Sequence, residues 1–162
     1  MASERVSAGL VMYRRRKGAL EILLAHPGGP YFARKDEGHW SIPKGEIEPG
    51  EDPLRTAIRE FEEEVGIAVD PASEFIDLGS IRQKGGKVVH AWGVEGDCPD
   101  GHCIKSNHFS VEWPPGSGKF QQFPEVDQAG FFTLPEAKKK VKATQIPLLE
   151  RLASAIGDGG DG

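Results

Sequence analysis

The segment Gly45–Ile67, GEIEPGEDPLRTAIREFEEEVGI, constrains this chain more than any other stretch. Asp52 is a good helix N-cap, Pro53 suits the first helical position, and Gly66 suits the residue just past a helix end. These local signals predict a helix from about Pro53 to Val65. Leu54, Ile58, Phe61 and Val65 then fall on one narrow stripe at about 100° per residue, the expected core face. The same helix closes on Glu60, Glu62, Glu63 and Glu64, where the helix dipole is negative and acids are disfavoured. Glu60 stands three residues before Glu63 and four before Glu64, spacings at which like charges cost roughly a few tenths of a kcal/mol per pair. One arginine, Arg59, relieves only part of that repulsion.

A solvated acidic face is the plain reading of such a cluster. Two features argue for a site instead. Glu60, Glu63 and Glu64 lie beside the core stripe rather than opposite it. The preceding PKGEIEPGED is rich in Gly and Pro, so it can fold over the helix and bring backbone oxygens close. Carboxylates with carbonyls suit a hard divalent cation such as Mg²⁺ or Mn²⁺. An EF-hand is a poor alternative, because no D-x-[DN]-x-[DN]-G loop is present.

Around the helix, strands are predicted at Arg5–Arg14, Leu20–His26, Phe75–Gln83, Lys87–Val94 and Ala129–Leu134, with short extended pieces at His39–Pro43 and His108–Trp113. Further helices are predicted at Leu134–Val141 and Gln145–Ile156. Strands and helices interleave, which gives an α/β or α+β sandwich. One domain over residues 3–157 is expected, with residues 158–162 as a disordered tail. The net charge of −5 argues against a general nucleic-acid binder. No apolar run reaches the roughly 18 residues of a membrane span, and no signal core follows the N-terminus, so a cytoplasmic protein is expected. Cys98 and Cys103, with His102 between them, lack the four ligands of a zinc site and read as loop residues rather than a disulfide.

Gly45, five residues, Glu51, seven residues, Arg59-Glu60-Phe61, any residue, Glu63-Glu64, any residue, Gly66-Ile67 resembles the Nudix box. All nine defined positions of the 23 are filled. The resemblance implies an α/β/α sandwich with a mixed sheet and hydrolysis of a nucleoside diphosphate linked to another group. It implies metal ligands at Glu60, Glu63, Glu64 and the Gly45 carbonyl, with Arg59 and Glu51 bracing the loop or tuning a carboxylate. Catalytic-base candidates are Glu63, Glu51 and the loop acid Glu125.

The run W-x-x-P-K-G-x-x-E-P-G-E-D, from Trp40 to Asp52, is similar to the dinucleoside tetraphosphate hydrolases of that family. It implies a dinucleoside polyphosphate substrate. Nucleoside triphosphates, nucleotide sugars and inositol polyphosphates remain alternative substrates. A nucleotide-sensing module without catalysis is a further alternative, though such modules tend to lose box carboxylates and all are present here. Lys44 and Lys87 are candidate phosphate contacts. The tyrosine that stacks adenine in those hydrolases has no counterpart at Gln83 or Lys84. His90, Trp92, Tyr31, Phe32 and Trp113 are the aromatic candidates, with Trp92 carried as a substrate contact. A small nucleotide is the expected partner, with neither nucleic acid nor membrane, and either a monomer or a homodimer.

Overall fold

A computed structural model describes residues 5–98 and 108–157. The expected tail, 158–162, lies outside the described residues.

Six strands form one mixed sheet in the order β4-β5-β1-β2-β8, with β3 paired to β1. They are β1 (Val6–Arg16), β2 (Ala19–Pro27), β3 (Lys44–Glu46), β4 (Ile76–Arg82), β5 (Val88–Glu95) and β8 (Val126–Thr133). β6 (His108–Glu112) and β7 (Phe120–Pro124) make a separate antiparallel hairpin. Only β1 and β5 run parallel; the other pairs are antiparallel.

Helix α1 (Pro53–Val65) covers one face of the sheet. Asp52 accepts a hydrogen bond from the Arg55 N–H at 3.1 Å, Pro53 opens the helix, and Gly66 ends it at φ 71°, a conformation that favours glycine. Phe61 and Val65 are fully buried against Leu10, Leu23 and Val94. Leu54 and Ile58 are only partly buried, and Thr56 and Ala57 take the deepest remaining positions. The core face is therefore turned slightly from the predicted stripe. Helices α2 (Leu134–Lys140) and α3 (Ile146–Ala155) cover the other face, where Leu148, Leu149 and Leu152 pack on Val11, Ile22 and Val89. The result is the expected α/β/α sandwich.

One edge of β1 is shared. Its C-terminal half pairs with β2, from Tyr13↔Ile22 to Arg16↔Ala19. Its N-terminal part pairs with β3, at Ser7↔Glu46, Ala8↔Gly45 and Gly9↔Lys44. β2 meanwhile turns to β8 and to an isolated bridge at Ser41. The sheet therefore parts between β3 and the β2–β8 pair, and this parting is where the α1 glutamates meet the rest of the molecule.

Three local expectations are corrected. β3 and β7 had no counterpart in the sequence reading. The last strand begins at Val126, three residues before the predicted start. Cys98 is buried and disulfide-bonded, against the expectation of a free loop thiol; Cys103 and His102 lie outside the described residues.

Candidate active site

The residue beneath the acidic helix end has to be glycine. Ala8↔Gly45 pairing turns Gly45 toward α1, and a Cβ built there would lie 2.1 Å from Glu60 Cδ. The Glu60 carboxylate thus rests directly on the β3 backbone, and Gly45 leaves the room for it. One residue earlier, the Lys44 backbone N–H donates to Glu64 Oε2 at 3.1 Å. The loop and the helix end are joined through two glutamates of the box.

Arg59 occupies the middle of the remaining acids. Its Nη1 donates to Glu60 Oε1 at 3.2 Å and to Glu63 Oε1 at 3.3 Å, and its Nη2 to Glu51 Oε1 at 3.1 Å. Glu51 also accepts from the Glu48 N–H at 2.9 Å, which ties the loop to itself. These hydrogen bonds hold the Glu51 carboxyl below the usual range. As placed, no three acidic, histidine or cysteine side chains among the described residues converge on one metal position. The guanidinium carries the cationic charge between Glu60 and Glu63 instead. The donor set, three carboxylates beside an uncovered strand backbone, fits a hard divalent ion chemically.

Electrostatics mark the same spot. Burial, and then repulsion from Glu60, push the Glu64 carboxyl up to about 8. Burial raises Glu60 as well, opposed by Arg59. Glu125 adds to the repulsion felt by both, so the loop before β8 brings a fourth acid to the group. Burial, reinforced by Lys87 and Lys142, pulls the Lys44 ammonium down to about 8. Burial dominates both shifts and outweighs the mutual attraction of Glu64 and Lys44, as expected of charged groups withdrawn from water. Perturbations of this kind cluster at functional sites.

A cleft of about 170 Å³ opens at the parting of the sheet, lined among others by Lys44, Glu64, Glu125, Lys142, Phe32 and His39. Lys44, Glu64 and Glu125 are thus brought together. Lys87 is not among the lining groups, but it is close enough to depress both Lys44 and Lys142. Trp92 lies elsewhere. It is 9% exposed in the apolar layer under α1, and His90 stacks flat on it at 4.2 Å. Of the other aromatic candidates, Phe32 lines the cleft, and Tyr31, its neighbour in the chain, meets Trp113 edge to face at 5.5 Å.

A larger depression of about 680 Å³ surrounds His26, Asp36, Trp40 and Lys140, with Arg34 and Lys35 also on its lining. There Lys140 meets Asp36 at 2.7 Å and His26 meets Asp127 at 2.7 Å.

Two functional candidates have no place in the sequence reading. Lys142 lines the cleft, and the only trace of it in the sequence is the end of the KKKVK run. Gln145 is fully buried; its Oε1 accepts from the Ile42 N–H at 3.0 Å, and its Nε2 donates to Ser41 Oγ at 3.0 Å and Gln83 Oε1 at 2.9 Å. It ties the segment leading into Lys44 to the end of β4. No local pattern marks such a residue.

The model of the NUDIX domain matches residues 3–152. The asymmetrical bis(5'-nucleosyl)-tetraphosphatase of Caenorhabditis elegans is 33% identical over 111 residues, 66% of this chain and 76% of that protein. The RNA pyrophosphohydrolase of Erythrobacter litoralis is 38% identical over 77 residues, 44% of this chain and 45% of that protein. Among solved structures, a binary complex of C. elegans Ap4A hydrolase superposes with a TM-score of 0.67 at 26% identity, covering 93% of this chain and 98% of that one. No helix among the described residues is long and apolar enough to cross a membrane. With the box carboxylates gathered at the parting of an α/β/α sandwich, the chain belongs to the NUDIX domain family, among its pyrophosphohydrolases.

Proposed function

We propose that this chain hydrolyses dinucleoside polyphosphates with the help of Mg²⁺ or Mn²⁺, acting on small nucleotides in the cytoplasm. The observation that carries the reading is the seat of Glu60 on Gly45, beside Glu64 on the Lys44 amide. It sets two box carboxylates against strand backbone at the mouth of a cleft. Glu60, Glu63, Glu64 and the Gly45 carbonyl would hold the metal. When bound, the ion supplies charge neutralisation for the phosphates and acidifies a water.

The chain's own groups do the rest. Arg59 and Glu51 keep the loop closed over the helix and fix where Glu60 and Glu63 start from. Lys44, with an ammonium in the cleft, supplies positive charge to a phosphate oxygen. Glu125, which lines the same cleft, would accept a proton from an attacking water, with Glu63 and Glu51 as the box alternatives. The 33% identical C. elegans tetraphosphatase supports the dinucleoside choice.

The test is a substrate panel in Mg²⁺ or Mn²⁺: diadenosine tetraphosphate, ADP-ribose, nucleoside triphosphates and a diphosphoinositol phosphate, with products separated by chromatography. Metal-dependent cleavage of the tetraphosphate with the highest kcat/KM is expected. Tight binding without turnover of any member would replace the enzyme reading with a sensing one. Turnover undiminished by a chelator would remove the metal.

A further inference from the structure

Three lysines that do not share an element lie within electrostatic reach of one another, and two of them, Lys44 and Lys142, line the cleft at the parting of the sheet. Lys44 is on β3, Lys87 precedes β5, and Lys142 follows α2. Ser7 lies opposite both Glu46 and Val89, and Gly9 opposite Lys44, so Lys44 and Lys87 stand diagonally either side of Ser7 on the α2–α3 face. The Ser7 hydroxyl is fully buried and finds no hydrogen-bond partner among the described residues. Lys142 is half-buried, and the charge that acts on it is another cation, Lys87. No ion pair neutralises it among the described residues. In the larger His26 depression, by contrast, Lys140 is paired with Asp36 and His26 bonds Asp127. Partly buried ammonium groups without a carboxylate are costly unless an anion completes them.

Lys142 also stands on a border. It lines the carboxylate cleft, and it lines a second cleft of about 440 Å³ with Gly38, Gln83, Lys84, Ala143 and Thr144. That second cleft is lined by two lysines, Lys84 and Lys142, by no acidic residue, and by amide and hydroxyl groups suited to phosphate oxygens. Its frame is rigid, because Gln145 holds Gln83 and the Ser41–Ile42 backbone in one network.

We propose that the cleft of Gln83, Lys84, Lys142 and Thr144 is a distal-phosphate subsite continuous with the active site. Lys142 is the specificity-determining contact that carries a phosphate chain out of the carboxylate cleft. The enzyme is thereby matched to chains of more than two phosphates. This rests on the pyrophosphohydrolase reading above and deepens it.

The experiment compares wild type, Lys142→Ala and Lys142→Arg on diadenosine tetraphosphate and on diadenosine diphosphate, with inorganic tripolyphosphate binding measured by calorimetry in parallel. Lys142→Ala should raise KM for the tetraphosphate on the order of 10- to 100-fold, the size of a lost charge-assisted contact, and raise that for the diphosphate by a clearly smaller factor. Lys142→Arg should retain most of the tetraphosphate affinity. An equal effect on both chain lengths, or none on either, overturns the subsite. If wild type cleaves only the tetraphosphate, the KM effect there is read against tripolyphosphate binding; if it cleaves neither compound, the catalytic reading fails separately. Tripolyphosphate binding then decides the subsite, which stands if Lys142→Ala abolishes that binding and falls if it does not.

Discussion

Gly45→Ala separates the fold from the function in one substitution. The added methyl would sit 2.1 Å from Glu60 Cδ and 2.4 and 2.5 Å from its two oxygens. Ordinary contact begins at 3.4 Å, so the carboxylate has to retreat by about 1.3 Å (3.4 minus 2.1). The obstacle is the far end of a flexible side chain, so the backbone pairing of β3 with β1 survives and the melting temperature changes little. Catalysis is less forgiving, since a misplacement of about 1 Å costs on the order of 10²-fold in rate. The expected result is kcat/KM on diadenosine tetraphosphate reduced roughly 100-fold, with circular dichroism and melting close to wild type. Gly130→Ala is the matched control, because a Cβ there meets only Phe132, at 3.9 Å. A Gly45→Ala enzyme with full kcat/KM would refute the reasoning, since Glu60 could then move over an ångström without consequence.

Three other perturbations probe different parts of the site. Between about pH 5 and 8 the folded metal-free chain keeps a proton on Glu64 that the unfolded chain has lost, so stability falls with rising pH. Above about 8 folded Lys44 sheds a proton the unfolded chain keeps, and stability recovers. Melts in chelator should therefore show a minimum near pH 8, with Glu64→Gln flattening the acidic limb, and a level wild-type profile from pH 5 to 8 would count against this. Arg59→Ala leaves Glu51, Glu60 and Glu63 without their shared cation, so the metal-free protein should melt lower than wild type and gain more on adding Mn²⁺; an equal gain in both proteins contradicts it. Gln145→Leu strands the Ile42 N–H and the Gln83 amide in the core, at a cost of about 2–4 kcal/mol by urea titration; a change below about 0.5 kcal/mol would show the network to be dispensable.

Helix α1 was legible to the residue because its signals are local. Asp52, Pro53 and Gly66 act within one turn of the boundaries they set. β3 was not legible, because Lys44–Glu46 is three residues long and contains a glycine; only its register on β1 makes it a strand. β7 reads FQQFP and carries no more periodicity than a loop, so its strand character comes from β6. At the site, residue types and spacing point to the acids without showing that Arg59 lies among three of them. Nor do they show that Lys142 and Gln145 arrive from the far end of the chain. Both depend on contacts more than 50 residues apart, such as Gln145 to Gln83.

The step from Lys44 to Gly45 explains why cations and carboxylates can share so small a region without collapsing onto each other. Successive strand residues point to opposite faces. Gly45 pairs with Ala8 and meets Glu60 on the α1 side, while Lys44 pairs with Gly9 and meets Lys87 and Lys142 on the α2–α3 side. Had both residues faced the same way, the ammonium would neutralise Glu60 directly and leave little charge for a metal or a phosphate. The sheet divides the side chains without isolating them: Glu64 and Glu60 both act on Lys44, and the two charge sets meet in the cleft that Lys44, Glu64 and Glu125 line. A polyphosphate with bound cations is a ligand whose own charge alternates in the same sense. On the proposed function, such a ligand would meet the α1 carboxylates with its cations, relieving Arg59 of neutralising Glu60 and Glu63, and would meet Lys44 and Lys142 with its phosphate oxygens.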